Sequence, residues 1–147
     1  MKSLSFRIPR DLAQRVGERS QRWRRSDSEV YRQVIDEWVR LQDHPGIRFV
    51  DGPAGRRAAL VGGPDVWEII DVAREYAFDA AAVREAYPWL TTELLGVAKR
   101  YYECFSDEID ALIEDNLRVA EELGRELDLV VREGTASDSP GEEHPDS

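Results

Sequence analysis

Residue types that perform covalent chemistry are scarce in this chain and poorly spaced for it. There is one cysteine, Cys104, and there are two histidines, His44 and His144. A lone cysteine excludes an intramolecular disulfide framework and a cysteine-based zinc site. His44 adjoins Pro45-Gly46 in a loop and His144 lies in the tail, so no metal-binding cluster is expected. Gly52 and Gly55 lack the Gly-Lys-Ser/Thr ending of a phosphate loop. The adjacent carboxylates Asp107/Glu108 and Glu121/Glu122 read as solvated charge on exposed helix sides. No nucleophile has a base at a useful spacing. The sequence therefore predicts neither an enzyme nor a cofactor.

Arginine carries the remaining chemistry, and its distribution is uneven. Across 147 residues the net charge is −10, which would repel a polyanion. Residues 1–40, however, hold ten basic and six acidic residues, for a net +4. Residues 41–147 hold ten basic and 24 acidic residues, for a net −14. A basic module joined to an acidic body suits a DNA-contacting arm with a second task. Arg56 and Arg57 can clamp a carboxylate within the chain or on a partner, or stand exposed on a hairpin.

The elements that must position these residues follow from periodicity. Leu4, Phe6 and Ile8 alternate with Ser3, Ser5 and Arg7, as in a strand with two unlike faces. Pro9 then opens a helix with Leu12, Ala13 and Val16 inward and Arg10, Arg15, Arg19 and Arg22 outward. Ser26-Asp27-Ser28-Glu29 reads as a capping box. The helix it starts has Val30, Val34, Ile35, Trp38 and Leu41 inward. His44-Pro45-Gly46 marks a boundary. Beyond it, Ile47–Val50 and Ala58–Val61 flank Asp51-Gly52-Pro53-Ala54-Gly55 as a hairpin. A helix from Val66, a short one capped by Asp79 and stopped by Pro88, one capped by Thr91, and a long one from Ser106 complete the pattern. From Gly134 onward the residues are mostly Ser, Pro, Gly and acids, a composition expected to be disordered. The fold class is thus mainly α with short β. Its units are residues 1–43, residues 46–131 and a tail, 132–147.

A single strand with two helices leaves its edges unpaired, and two copies can pair their strands over four helices. A homodimer is expected. The order Leu4-Ser5-Phe6-Arg7-Ile8-Pro9, helix, Arg25-Ser26-Asp27-Ser28-Glu29, helix resembles the ribbon-helix-helix family of bacterial repressors and antitoxins, over roughly residues 2–42. The resemblance implies a two-stranded ribbon in the major groove of an operator. Ser3, Ser5 and Arg7 would then face base edges, Arg7 as a bidentate guanine reader. Ser26 and Ser28, at the second helix's N-terminus, would hold a phosphate, with Arg24 and Arg25 adding charge. Asp27 departs from this, because an anion in that first turn repels phosphate. The alternative is that Ser3, Ser5 and Arg7 form the solvated face of a dimerisation strand.

A second resemblance covers about 65 residues. Gly46-Ile47, Phe49, Asp51-Gly52-Pro53, Gly55-Arg56-Arg57-Ala58, Val66-Trp67-Glu68-Ile69-Ile70, Tyr87-Pro88, Leu90-Thr91, Tyr101-Tyr102 and Glu108-Ile109-Asp110 look like domain-of-unknown-function family 433. Its usual Gly-Thr-Arg-Ile-Pro run is divergent here, as Val61-Gly62-Gly63-Pro64-Asp65. Such domains occur in bacterial antitoxins beside toxins with a PIN-like nuclease fold, so the resemblance implies a protein toxin as partner. The helices from Val66 to Glu103 are helix-turn-helix-like, yet the last offers only Lys99 and Arg100 against Glu93 and Glu103. A basic protein therefore suits this half better than DNA does. Beyond Leu117 the last helix, with Leu123 and Leu127, is where a partner is sought, along with Arg56 and Arg57.

The expectation is a cytoplasmic, nucleoid-associated, sequence-specific repressor that is the antitoxin of a toxin–antitoxin pair. The alternatives are a stand-alone dimeric regulator and a protein–protein adaptor with no DNA role. No apolar run of about 18 residues predicts a membrane span, and the N-terminus lacks the pattern of a signal peptide.

Overall fold

Helix α1 (Arg10–Trp23) begins directly after Pro9, whose fixed φ of −58° is ready-made for entry into a helix. In this computed structural model, which describes residues 1–52 and 55–136, α1 is closed by Arg24. That residue takes the left-handed conformation, and its N–H donates to the Gln21 carbonyl at 3.2 Å. Two residues later the expected capping box starts α2 (Asp27–Asp43). The Glu29 N–H donates to Ser26 Oγ at 3.3 Å, and the Ser26 N–H donates to Glu29 Oε2 at 2.8 Å.

The chain then turns at Gly46 (φ +97°) into β1 (Ile47–Gly52), which pairs antiparallel with β2 (Gly55–Leu60). The register runs from Ile47 opposite Leu60 to Gly52 opposite Gly55. A side chain on Gly46 would sit in an unfavourable backbone region and press on Val97, 3.3 Å away. Four further helices follow: α3 (Val66–Glu75), α4 (Ala80–Ala86), α5 (Thr92–Cys104) and α6 (Ser106–Ala136). The starts of α3, α4 and α5 follow Asp65, Asp79 and Thr91, polar residues placed as the sequence predicts. The Asp79 carboxylate accepts from the Ala81 N–H at 2.9 Å, and Thr91 Oγ1 accepts from the Leu94 N–H at 3.2 Å.

One core joins the hairpin to the helices after it. Ile47, Ala58, Leu60, Val66, Ile69, Ile70, Val83, Leu90, Tyr101, Ile109 and Ile113 are buried together. That cluster lies wholly between residues 47 and 113. The two N-terminal helices contribute little to it: the partly buried Leu41 packs against it, while Val30, their one buried large apolar residue, is not part of it.

Several sequence expectations change: Leu12 and Ala13, expected inward, are exposed, and Glu108, expected to be solvated, is bonded by Arg40 and Tyr101. Residues 1–9 form no strand, so the sheet consists of β1 and β2 alone, and both follow two helices. A strand needs a hydrogen-bonding neighbour, and among the described residues of one chain none pairs with Ser3–Ile8. Leu4 is 72% exposed and Phe6 56%, although the Phe6 ring meets Tyr31 edge-on at 5.7 Å. A further correction concerns α2. Val34, Ile35 and Trp38, expected inward, face outward, and Trp38 is 61% exposed. The other side of α2 is the one that meets the second unit. The tail expected to be disordered lies largely outside the described residues, as do Pro53 and Ala54.

Candidate nucleic-acid and protein interfaces

Helix α2 has two faces with different fates. Glu37, Arg40 and Leu41, with His44 just past the helix end, recur at helical spacing and dock on the second unit. Arg40 is the centre of this docking. Its Nη1 donates to Tyr101 Oη at 2.8 Å and to Glu108 Oε2 at 2.7 Å. The Tyr101 hydroxyl donates in turn to Glu108 Oε1 at 3.1 Å, and the guanidinium lies 3.9 Å from the Phe105 ring centroid. Burial opposes the Arg40 charge, yet the bonds to Glu108 and Tyr101 outweigh it and raise its pKa. Burial, then the Glu108 charge, push the Tyr101 hydroxyl well above the usual phenol range. A single cation thus ties α2 to α5 and to the first turn of α6.

A second tie lies at the hairpin. Arg56 Nε donates to Glu37 Oε1 at 2.6 Å, and Arg56 Nη1 to Asp51 Oδ1 at 3.2 Å. The hydrogen bond to Glu37, against an opposing burial effect, raises the Arg56 pKa. Both Arg19 and Arg56 hold their guanidinium groups a little over 5 Å from the Trp23 ring, at 5.2 and 5.3 Å. Arg57 Nε donates to Asp65, which also accepts from Trp67 Nε1 at 3.1 Å. The carboxylate clamps considered for Arg56 and Arg57 are therefore formed inside the chain. The distant partners were not legible, since Glu37 is 19 residues from Arg56 in sequence and Glu108 is 68 from Arg40, whereas Asp65 is only 8 from Arg57.

The other face of α2 is bare. Val34, Ile35, Trp38 and Val39 are exposed together, and Leu12 of α1 and Leu4 and Phe6 of the N-terminal segment are exposed as well. Ser3, Ser5 and Arg7 are exposed in that segment, as are Arg24, Arg25, Ser26 and Ser28 at the α1–α2 turn. Arg25 donates to Gln33 Oε1 at 3.1 Å. A cleft of about 420 Å³ is lined by Arg22, Trp23, Arg25, Gln33, Asp51 and Arg56. At the start of α2 the Glu29 carboxylate accepts from both the Ser26 N–H and the Ser26 hydroxyl, at 2.8 and 2.9 Å. An anion is thus already seated on the Ser26 amide, and Asp27 adds a second one in the same turn. The Ser26 amide is therefore already bonded, whereas Arg24 and Arg25 stand exposed at this turn.

The last helix divides in the same manner. Ile109 and Ile113 are buried in the core, whereas Leu117, Leu123 and Leu127 are exposed, the last two at 54% and 64%. Among the described residues no group of three His, Cys, Asp or Glu side chains could hold a metal ion. No described helix is long and apolar enough to cross a membrane. The chain was compared with protein-family models, curated proteins and solved structures. It matches none of them.

Proposed function

We propose that the chain is a homodimeric, sequence-specific DNA-binding regulator whose basic N-terminal module contacts an operator. The observation that carries this reading is the bare face of α2. Its docked side is satisfied by Arg40, Leu41 and the Arg56–Glu37 pair, so a second copy can approach the opposite side without displacing the second unit. Contiguous Val34, Ile35, Trp38 and Val39 beside Leu12 form an unpartnered apolar surface, of the kind that marks an interface. A second copy brought against it also supplies the missing neighbour for Ser3–Ile8. Two such segments, paired antiparallel, make the ribbon of a ribbon-helix-helix arrangement, with Ser3, Ser5 and Arg7 on its outer side. The +4 charge of residues 1–40 supports a polyanionic ligand at that end.

The acidic half, at −14, supports a basic protein as a further partner. On that reading the regulator is also the antitoxin of a PIN-like nuclease, and a gene for such a nuclease beside its own would favour it. Without a toxin the protein is a stand-alone regulator.

The test is binding to duplex DNA from the chain's own upstream region, titrated across salt. Affinity is expected to fall steeply as salt rises. Arg7→Ala is expected to weaken binding by about 1–3 kcal/mol, roughly 5- to 150-fold, while the dimer persists. Unchanged operator affinity in that variant sinks the base-reading role. No shift of any duplex at low salt sinks the DNA reading itself and leaves an adaptor.

A further inference from the structure

The apolar face of α6 does not stop where the domain stops. Ile109 and Ile113 bury it in the core, and beyond them the same face continues along Asn116, Ala120, Leu123, Leu127 and Val130, all of them exposed. From Ile109 the spacings are 4, 3, 4, 3, 4 and 3 residues, the alternation by which one helix meets another along a seam. Charge follows the same division. Glu114, Asp115, Arg118, Glu121, Glu122, Arg125 and Asp128 all fall on the side away from the seam, and only Glu126 borders it. Leu117 and Val119 widen the apolar band, and Ala120 with Gly124 leaves room for close approach.

We propose that this stripe pairs with α6 of a second copy, forming a self-association surface separate from the N-terminal module. Three features select a second copy as the occupant. The seam has the 3–4 alternation of paired helices. The net negative charge of the helix points away from the seam, so two copies can meet without opposing it. Asn116 is the one polar seam residue, and its amide both donates and accepts, so it can pair with itself across a two-fold axis. From Asn116 to Val130 the stripe runs for about 21 Å at 1.5 Å per residue. Two heptads of this length associate weakly alone, and attachment to an already dimeric chain raises their effective concentration into roughly the millimolar range. The pairing does not depend on DNA binding.

Cysteine cross-linking of the full chain tests it, with Cys104→Ser removing the native thiol. Leu123→Cys and Leu127→Cys are expected to give at least tenfold more oxidised covalent dimer than Glu122→Cys and Arg125→Cys on the outer side. A disulfide needs its Cβ atoms about 4 Å apart, a distance that seam positions reach and outer positions do not. The double variant Leu123→Glu/Leu127→Glu is expected to raise the dimer dissociation constant at least tenfold in sedimentation, with the thermal unfolding midpoint of the domain unchanged. Equal yields at seam and outer positions, or none at the seam, overturn the proposal. A dissociation constant unchanged by the glutamates also overturns it and leaves the stripe to a different protein. Seam cross-linking alongside failed operator binding would remove the DNA reading and keep this one.

Discussion

Arg40 shows how much one side chain can be asked to do. It is mostly shielded from solvent, meets Glu108, Tyr101 and the Phe105 ring, and stands on a helix whose other contacts with the second unit are few. Arg40→Met keeps the stem packing and leaves Glu108 without its cation. It is expected to destabilise the chain by about 2 kcal/mol in urea unfolding, with Tyr101→Phe costing about 1 kcal/mol. Glu29 makes a pH-dependent contribution of another kind. The hydrogen bond from the Ser26 N–H, then that from the Ser26 hydroxyl, lower its pKa below the ordinary 4.5. Its folded pKa is depressed, so the stabilisation is complete above the ordinary value and is lost as pH falls through the lowered one. Comparing unfolding at pH 7 and pH 3, Glu29→Gln should show a smaller acid loss than the native chain, because the amide still caps without titrating.

At the scale of elements, helices carry their own instructions and the strand expected over Ser3–Ile8 does not. Capping boxes, Thr91, Asp79 and Pro9 act within a few residues, so the starts of α1 to α5 could be read in advance. The β1–β2 hairpin was equally local, because its two strands pair with each other across a short turn. Ser3–Ile8 alternates just as clearly, yet alternation states only which side chains share a face. It does not supply a neighbouring strand. The two faces of α2 were ambiguous for a related reason. Val34, Ile35 and Trp38 form one apolar stripe, Leu41 with the stem of Arg40 forms another, and periodicity alone does not rank them. Trp38→Glu puts a charge on the bare stripe. It is expected to weaken self-association at least tenfold by sedimentation while leaving the unfolding midpoint nearly unchanged, since Trp38 is exposed in the single chain.

For the molecule as a whole, the sequence by itself determined the helical class, the hairpin, the break after α2 near His44–Gly46 and the split of charge between a basic start and an acidic remainder. Each of these is carried by neighbours in the chain. Only the tertiary structure decided which face of α2 is spent on the second unit, that Arg56 and Arg57 are satisfied internally, and that the stripe of α6 outruns the core it begins in. The docked face of α2 and the pairing of Arg56 depend on carboxylates 68 and 19 residues away from Arg40 and Arg56, and the stripe depends on where the core ends. Local bonding propensity is written in short spacings. Which of two comparable apolar faces becomes interior is settled only when distant elements compete to cover it.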